Sequence, residues 1–174
     1  MSKPFAPYSI VAFNAAKASE NKMHDDTVAK KFGFSGGLVP GVDVFAYMSH
    51  APLDVWGKAF LEHGHMEGRF GKPLYDGHIA EITGTPTSDD ALTLRLTSDG
   101  NECATGTAWN GGNGAPPAIS AYERATPPAL ADRPPASEAS LATGKWLGIR
   151  PFAVTEAMAR EYADNIKEAL PLYK

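Results

Sequence analysis

The chain has 174 residues, of which 43% are hydrophobic and 21% are charged, and its net charge at pH 7 is −4. This composition is typical of one folded domain, with or without part of a second, and it excludes a disordered chain. The net negative charge argues against nucleic acid as a binding partner. Because the chain has a single cysteine, an internal disulfide and metal sites that need several thiolates are excluded. No apolar stretch reaches the length needed to cross a bilayer. We therefore expect a cytoplasmic protein with no nucleic-acid partner, membrane partner or metal.

The first elements in chain order are a strand, a polar loop and a short helix. Residues Tyr8 to Phe13 are mostly β-branched or aromatic, which predicts a strand. After the loop, Asp25 and Asp26 precede a helical segment that carries lysines at its far end and meets Gly33. Acidic residues at the start and basic residues at the end of a helix complement its dipole. The pattern therefore predicts a short helix that ends near Gly33.

A long apolar segment opens at Gly41 and predicts a buried helix. Its apolar stripe, which is flanked by Val44 and Tyr47, comprises Val42, Phe45, Met48 and Ser49. Because a proline in a helix interior removes a backbone hydrogen bond, Pro52 predicts a break and the start of a second helix. That second helix is expected to pack through Leu53, Trp56 and Phe60.

From His65 to Asn110 the pattern changes to short strands. Four runs either alternate apolar and polar residues or are rich in residues that favour strands, namely HMEGRF, HIAEITGTPT, ALTLRLTS and ECATGTAW. The Asp89-Asp90 pair and the Asp99-Gly100-Asn101 run supply turns between them. These features predict an α+β fold in which an antiparallel sheet follows a buried central helix.

The last third of the chain has a different composition. Residues 111–137 are rich in Gly, Pro and Ala and predict a linker between a domain at 1–110 and a C-terminal segment at 138–174. Within that segment, TGKWLGIRPF predicts a strand, and Thr155 is expected to cap a helix. The apolar stripe of this helix comprises Met158, Tyr162, Ile166 and Leu170.

Two separated motifs carry a family resemblance. The stretch SENKMHDDTVAKKFGFSGGLVPGV resembles the loop, short helix and Gly-rich turn of MaoC-like dehydratases and (R)-specific enoyl-CoA hydratases. The stretch RFGKPLYDGH is similar to the strand-turn element of the same family. The resemblance covers roughly Tyr8 to Trp109 and implies a hot-dog fold, in which the antiparallel sheet wraps around the central helix.

The resemblance implies chemistry on acyl thioesters, with no cofactor beyond the coenzyme A that carries the substrate. In this family water adds reversibly to a trans-2-enoyl group. An Asp and a His hold the water, while a backbone N–H at the start of the central helix polarises the thioester carbonyl. Unpaired N–H groups at a helix N-terminus are suited to the charge that builds on that oxygen.

Four residues are carried over from the family motif as catalytic candidates. His24 matches the family's histidine, and an imidazole is suited to moving a proton near neutral pH. Gly41 matches the position of the N–H donor, where glycine lets a substrate approach the backbone. Asn21 matches the family's Asn, whereas Ser19 stands at the place of the catalytic Asp and cannot ionise at pH 7.

Six further residues are candidates for substrate binding. Asp43 lies on the predicted central helix, where related hot-dog enzymes use an acid, although a first-turn dipole partner is the alternative. A basic rim is expected to meet the phosphates of coenzyme A. The complete set is Val39, Pro40, Asp43, Arg69, Lys72 and Tyr75.

Three functions remain open from the sequence. The first is an enoyl-CoA hydratase or acyl dehydratase, and the second is a non-catalytic acyl-binding half of a paired hot-dog dehydratase, which the change at Ser19 fits. The third is an acyl-CoA thioesterase, in which Asp43 rather than His24 would activate water.

We expect a homodimer or a partner hot-dog subunit. The C-terminal helix is either a docking helix or the start of a second hot-dog unit.

Overall fold

The computed structural model describes residues 5–19, 21–112, 128–145, 152–167 and 170–171. The chain divides into two compact units, of which the larger comprises Met1–Asn113 together with Glu156–Lys174, and the smaller comprises Gly114–Thr155. In these described ranges, no helix combines the length and the apolar character required to span a membrane.

The larger unit is built on a five-stranded antiparallel sheet. Its strands are β1 (Tyr8–Val11), β2 (His65–Phe70), β3 (Ile79–Ser88), β4 (Ala91–Ser98) and β5 (Asn101–Trp109). They lie in the order β1-β3-β4-β5-β2. Side chains alternate along β4, so that Leu92, Leu94 and Leu96 are buried while Thr93 and Arg95 are exposed. The predicted strands are confirmed within a few residues.

The turn between β4 and β5 shows how local sequence sets the register. Ser98 pairs with Asn101, and only Asp99 and Gly100 lie between them. Both turn residues have positive φ, 50° at Asp99 and 72° at Gly100. Asp and Gly are residues that adopt this left-handed conformation in two-residue hairpin turns. The predicted turn is therefore confirmed.

Three helices lie between β1 and β2 in the chain: α1 (Asp26–Lys31), α2 (Gly41–Trp56) and α3 (Lys58–His63). The central helix α2 packs against the sheet and provides much of the core through Val44, Tyr47, Met48 and Ala51. Val42 was expected on the buried stripe, but it is 66% exposed. The buried face of α2 is rotated away from Val42 toward Asp43 and Val44.

The predicted helix break at Pro52 is wrong, because α2 continues through this residue. Pro52 is fully buried, and Leu53 beside it belongs to the core. Apolar burial along this turn offsets the backbone hydrogen bond that the proline cannot make. The break occurs at Gly57, whose φ of 58° ends α2 and precedes α3.

The C-terminal helix α4 (Glu156–Ile166) belongs to the same compact unit as the sheet. It packs against α2, and Ile166 is buried in the core. The smaller unit contains a 3-10 turn at Leu130–Asp132. Residues 146–151, which form most of the strand predicted from TGKWLGIRPF, lie outside the described residues. The predicted α+β class and the antiparallel sheet around a central helix are confirmed.

Candidate functional site

The loop that carries the candidate histidine is shaped by two side-chain caps. A short 3-10 helix spans Lys22–His24, and the Asn21 side chain accepts a hydrogen bond from the Met23 amide at its start. The next residue after this helix, Asp25, caps α1 by accepting from the Val28 amide. Asn and Asp are strongly favoured at such positions because they satisfy otherwise unpaired helix amides. His24 is therefore held between two consecutive helical turns.

Asn14, which is buried, anchors this loop from the other side. Its side-chain amide donates to the His24 carbonyl oxygen at 2.8 Å, and its backbone amide donates to Asp76 Oδ1 at 2.7 Å. Lys17 Nζ in turn lies 2.6 Å from Asp76 Oδ2. The backbone of His24 is thus tied to the end of β1 and to the turn before β3.

The His24 ring has a defined orientation. Its Nδ1 lies 2.7 Å from the carbonyl oxygen of Leu38, which can only accept, so Nδ1 carries the hydrogen. In the neutral ring Nε2 is then an acceptor, and the Asn21 amide nitrogen lies 3.3 Å from it. Nε2 is therefore the acceptor atom of the ring, and it faces the Asn21 amide.

Gly37 lies against the backbone of His24 and has no space for a side chain. A Cβ at this position would stand 2.3 Å from the His24 carbonyl oxygen. The Gly37 amide donates to Asp26 Oδ1 at 2.7 Å, which ties the Gly-rich turn to α1. This close contact fixes the distance between the His24 loop and the segment that leads into α2.

The N-terminus of α2 opens onto an apolar cavity of about 360 Å³. Pro40 is the N-cap of α2 and makes no side-chain cap hydrogen bond, and Gly41 is exposed. Leu38, whose carbonyl holds the His24 ring, also lines the cavity. The lining comprises Phe34, Leu38, Val39, Gly41, Val44, Phe70, Gly71, Lys72, Pro73, Leu74 and Cys103.

The fold itself does not require glycine at position 41. A Cβ there would make only ordinary contacts with the Phe70 ring, the nearest at 3.6 Å, and the residue does not have positive φ. The absence of a side chain instead leaves the first turn of α2 open beside the cavity. This is the space that a carbonyl group would use to reach the backbone amides.

Asp43 lies on the same helical turn and is 2% exposed. Burial raises the pKa of the Asp43 carboxyl, whereas hydrogen bonds from Tyr162 and the Ala15 amide and the charge of His24 act to lower it. In the part of the chain that the structure describes, Asp43 Oδ2 has no hydrogen-bond partner. A buried acid therefore lies in the first turn of α2.

The structure brings some of the other predicted residues together and separates others. Ser19 Oγ donates to the Asn21 carbonyl at 3.1 Å, so it supports the loop. Lys72 lines the Gly41 cavity and also a second, polar groove with Tyr75. Arg69 lies on the opposite face of the sheet, in a cavity with Thr105. The predicted contact of these residues with coenzyme A stays a prediction.

Three residues of the site carry no sequence signal that would have identified them. Asn14 and Leu38 hold His24 through hydrogen bonds that involve backbone carbonyls. Tyr162 lies on α4, which packs against α2, the helix that carries Asp43 more than a hundred positions earlier in the chain. Such contacts depend on tertiary packing.

Comparisons with known proteins identify the fold. No protein-family model matches the sequence, and no curated protein is significantly similar to it. A MaoC-like dehydratase from Phytophthora capsici is 15% identical with a TM-score of 0.53, and the match covers 62% of this chain and 42% of that chain. The chain thus matches less than half of that protein's length.

Two further solved structures are similar at lower TM-scores. The ChsH1-ChsH2 complex from Mycobacterium tuberculosis is 15% identical with a TM-score of 0.47, covering 62% of this chain and 93% of that chain. The (R)-hydratase from A. caviae involved in PHA biosynthesis is 22% identical with a TM-score of 0.44, covering 62% and 93%. Together with the sheet order and the central helix, the likeness to the Phytophthora protein shows that this chain has a hot-dog fold.

Proposed function

We propose that this hot-dog chain binds acyl thioesters and adds water to, or removes it from, a 2-enoyl thioester carried on coenzyme A. The observation that carries the proposal is the open turn at Gly41. Glycine is not required there by backbone conformation or by crowding, and it borders an apolar cavity of about 360 Å³. An exposed helix N-terminus next to an apolar cavity suits a thioester carbonyl with an attached acyl chain.

Leu38 connects the two groups that share the proposed chemistry, because its carbonyl orients His24 and the residue also lines the cavity beside Gly41. In the hydration direction, a water molecule takes the place of the Asn21 amide at Nε2 of His24. The oxygen of this water forms a bond to C3, and one of its protons passes to Nε2. The C2=C3 electron pair moves toward C2 and the thioester oxygen, whose charge the Gly41 amide stabilises. Nε2 of His24 then returns this proton to C2, which regenerates the neutral imidazole and completes a 3-hydroxyacyl thioester. Dehydration is the reverse.

Crotonyl-coenzyme A tests this proposal when loss of the enoyl absorbance and release of free thiol are followed together. Enoyl loss without thiol release supports a hydratase, whereas thiol release without enoyl loss identifies a thioesterase. If neither changes while the thioester binds in calorimetry, the chain is a non-catalytic acyl-binding half. The last two outcomes contradict the proposed reaction.

Two variants connect the activity to the site. His24→Ala should lower turnover by about 10²–10⁴-fold, as loss of general acid–base catalysis does. Gly41→Ala should reduce turnover by crowding the carbonyl site without lowering the melting temperature, since alanine is the better helix former. Gly36→Ala is the matched control, because its Cβ would meet only Asp26 Oδ1 at 3.4 Å. Unchanged turnover in both site variants would exclude this site from the reaction.

A further inference from the structure

We infer that the cavity beside Gly41 admits only short acyl chains, because Leu74 and Cys103 close its inner end. The inference rests on the proposed binding of acyl thioesters and deepens it, since it assigns a chain-length class to the substrate. It makes Leu74 and Cys103 specificity-determining residues. Neither of them takes part in the proposed proton transfer.

The cavity has an exposed mouth and a buried inner end. Gly41 and Lys72 are exposed, and Lys72 Nζ donates a hydrogen bond to Asn101 Oδ1 at 2.7 Å, so the mouth has a polar rim. Leu74 and Cys103, by contrast, are each 2% exposed. An acyl chain whose thioester lies at the Gly41 amide therefore leaves water by running inward, toward Leu74 and Cys103. The polar carrier stays at the mouth.

The turn that follows β2 is fixed at both of its ends, and this holds the inner end of the cavity in place. At the start of the turn, the Gly71 amide donates to the Cys103 carbonyl at 2.8 Å. At its end, the Leu74 carbonyl accepts from the Val39 amide at 2.9 Å. Between them, the Cys103 thiol donates a weak hydrogen bond to the Pro73 carbonyl at 3.5 Å. A longer acyl chain would have to break these bonds to enlarge the cavity.

Cys103 contributes to the cavity through its size and not through its reactivity. Burial raises the pKa of the Cys103 thiol, so that the thiol stays protonated near neutral pH. A neutral buried thiol behaves as a small apolar group. The inner end of the cavity is therefore apolar on the side of β5 as well as on the side of Leu74.

The volume of the cavity indicates the class of acyl chain. About 360 Å³ lies near the lower limit of the roughly 300–1,000 Å³ that small-molecule sites occupy. Each methylene that leaves water should raise the affinity about fourfold. An acyl chain should gain affinity at this rate until it reaches Leu74 and Cys103. Further methylenes then remain in water and add nothing.

Calorimetric binding of saturated acyl thioesters to the full chain tests the inference without requiring turnover. The probes are butanoyl-, hexanoyl-, octanoyl- and decanoyl-coenzyme A. Hexanoyl-coenzyme A should bind about 15-fold more tightly than butanoyl-coenzyme A, because it buries two more methylenes. Decanoyl-coenzyme A should bind no more tightly than octanoyl-coenzyme A. An affinity that keeps rising through the decanoyl probe, or that is independent of chain length, would overturn the inference.

Two substitutions should move the limit in opposite directions. Leu74→Ala deepens the cavity, so decanoyl-coenzyme A should bind it about 4- to 15-fold more tightly than octanoyl-coenzyme A. Cys103→Met places a longer, flexible side chain at the inner end, so the advantage of hexanoyl- over butanoyl-coenzyme A should shrink to less than about fourfold.

Leu92→Ala is the matched control for Leu74→Ala. It removes the same atoms from a fully buried leucine on β4 that lies outside this cavity, so it should keep the wild-type dependence on chain length. Identical profiles for Leu74→Ala and Leu92→Ala would show that Leu74 does not set the limit. Melting temperatures report whether each variant folds, and Cys103→Met decides the question if Leu74→Ala does not fold.

The outcomes separate this inference from the proposed function. A chain that binds none of these thioesters overturns both. A chain that shows the expected limit but does not hydrate crotonyl-coenzyme A contradicts the proposed reaction and leaves the chain-length inference intact. A chain that hydrates crotonyl-coenzyme A while its affinity rises through decanoyl-coenzyme A overturns the chain-length inference alone.

Discussion

Replacing Gly37 with alanine should disable the site from a position that the substrate does not contact. The new Cβ would stand 2.3 Å from the His24 carbonyl oxygen, whereas real Cβ atoms essentially never come closer than 3.0 Å to another heavy atom. The two backbones must therefore separate by about 0.7 Å, the difference between these distances. The clash is with a backbone atom, so no side-chain rotation can relieve it.

This displacement acts directly on the candidate base. The His24 ring is oriented by a 2.7 Å hydrogen bond to the Leu38 carbonyl, one residue beyond Gly37. A misplacement of about 1 Å at a reacting group can cost about 10²-fold in rate. A shift of this size predicts that Gly37→Ala lowers kcat for crotonyl-coenzyme A by roughly 10- to 100-fold.

The assay has a matched control and a structural readout. Gly36→Ala adds the same methyl group one residue earlier, where its nearest contact is Asp26 Oδ1 at 3.4 Å, and it should retain the wild-type rate. The imidazole NMR signals of His24, assigned with His24→Ala, should move in Gly37→Ala and not in Gly36→Ala. If the His24 signals and the rate of Gly37→Ala both match the wild type, the reasoning from this contact is refuted.

Further predictions concern stability and assembly. Tyr47 Oη accepts from the Phe13 amide at 3.0 Å, so Tyr47→Phe should lower the free energy of unfolding by about 1–3 kcal/mol in urea titrations. Ile166→Ala should cost about 2 kcal/mol or more. Met158→Ala should have a smaller effect, because Ile166 is 4% exposed and Met158 is 45% exposed. Among the described strands β2 pairs only with β5, and Phe70 beside this edge is 52% exposed, so we expect a dimer. Sedimentation that detects only monomer at micromolar concentration would contradict it.

The strands and short helices were predictable because their signals are local. The alternation of leucine with polar residues in β4 has the period of two that a half-buried strand requires, and Asp99-Gly100 suits a tight hairpin. Asp25 lies directly before α1 and caps it. The position of Gly41 at the first residue of the central helix was also correct. Each of these features depends on neighbours within a few residues.

The errors have a common cause in burial. Pro52 predicts a break when only its backbone chemistry is considered, but the core surrounds it and the helix continues to Trp56. Val42 fits an apolar stripe by spacing alone, yet the buried face of α2 lies on the side of Asp43 and Val44. Periodicity gives the width of an apolar face, whereas the packing partner decides which side of that face is buried.

The sequence by itself determined the element order and the antiparallel strands, because these depend on short-range patterns. His24 and Gly41 were singled out by a family resemblance, and their roles stay predictions. Only the tertiary structure decided which groups act on them. Asn14 and Leu38 hold His24 through hydrogen bonds to and from its loop, and the packing of α4 against α2 buries Ile166 in the core. Contacts between residues far apart in the chain form when the core excludes water and every buried polar group competes for a partner. No local pattern encodes that competition.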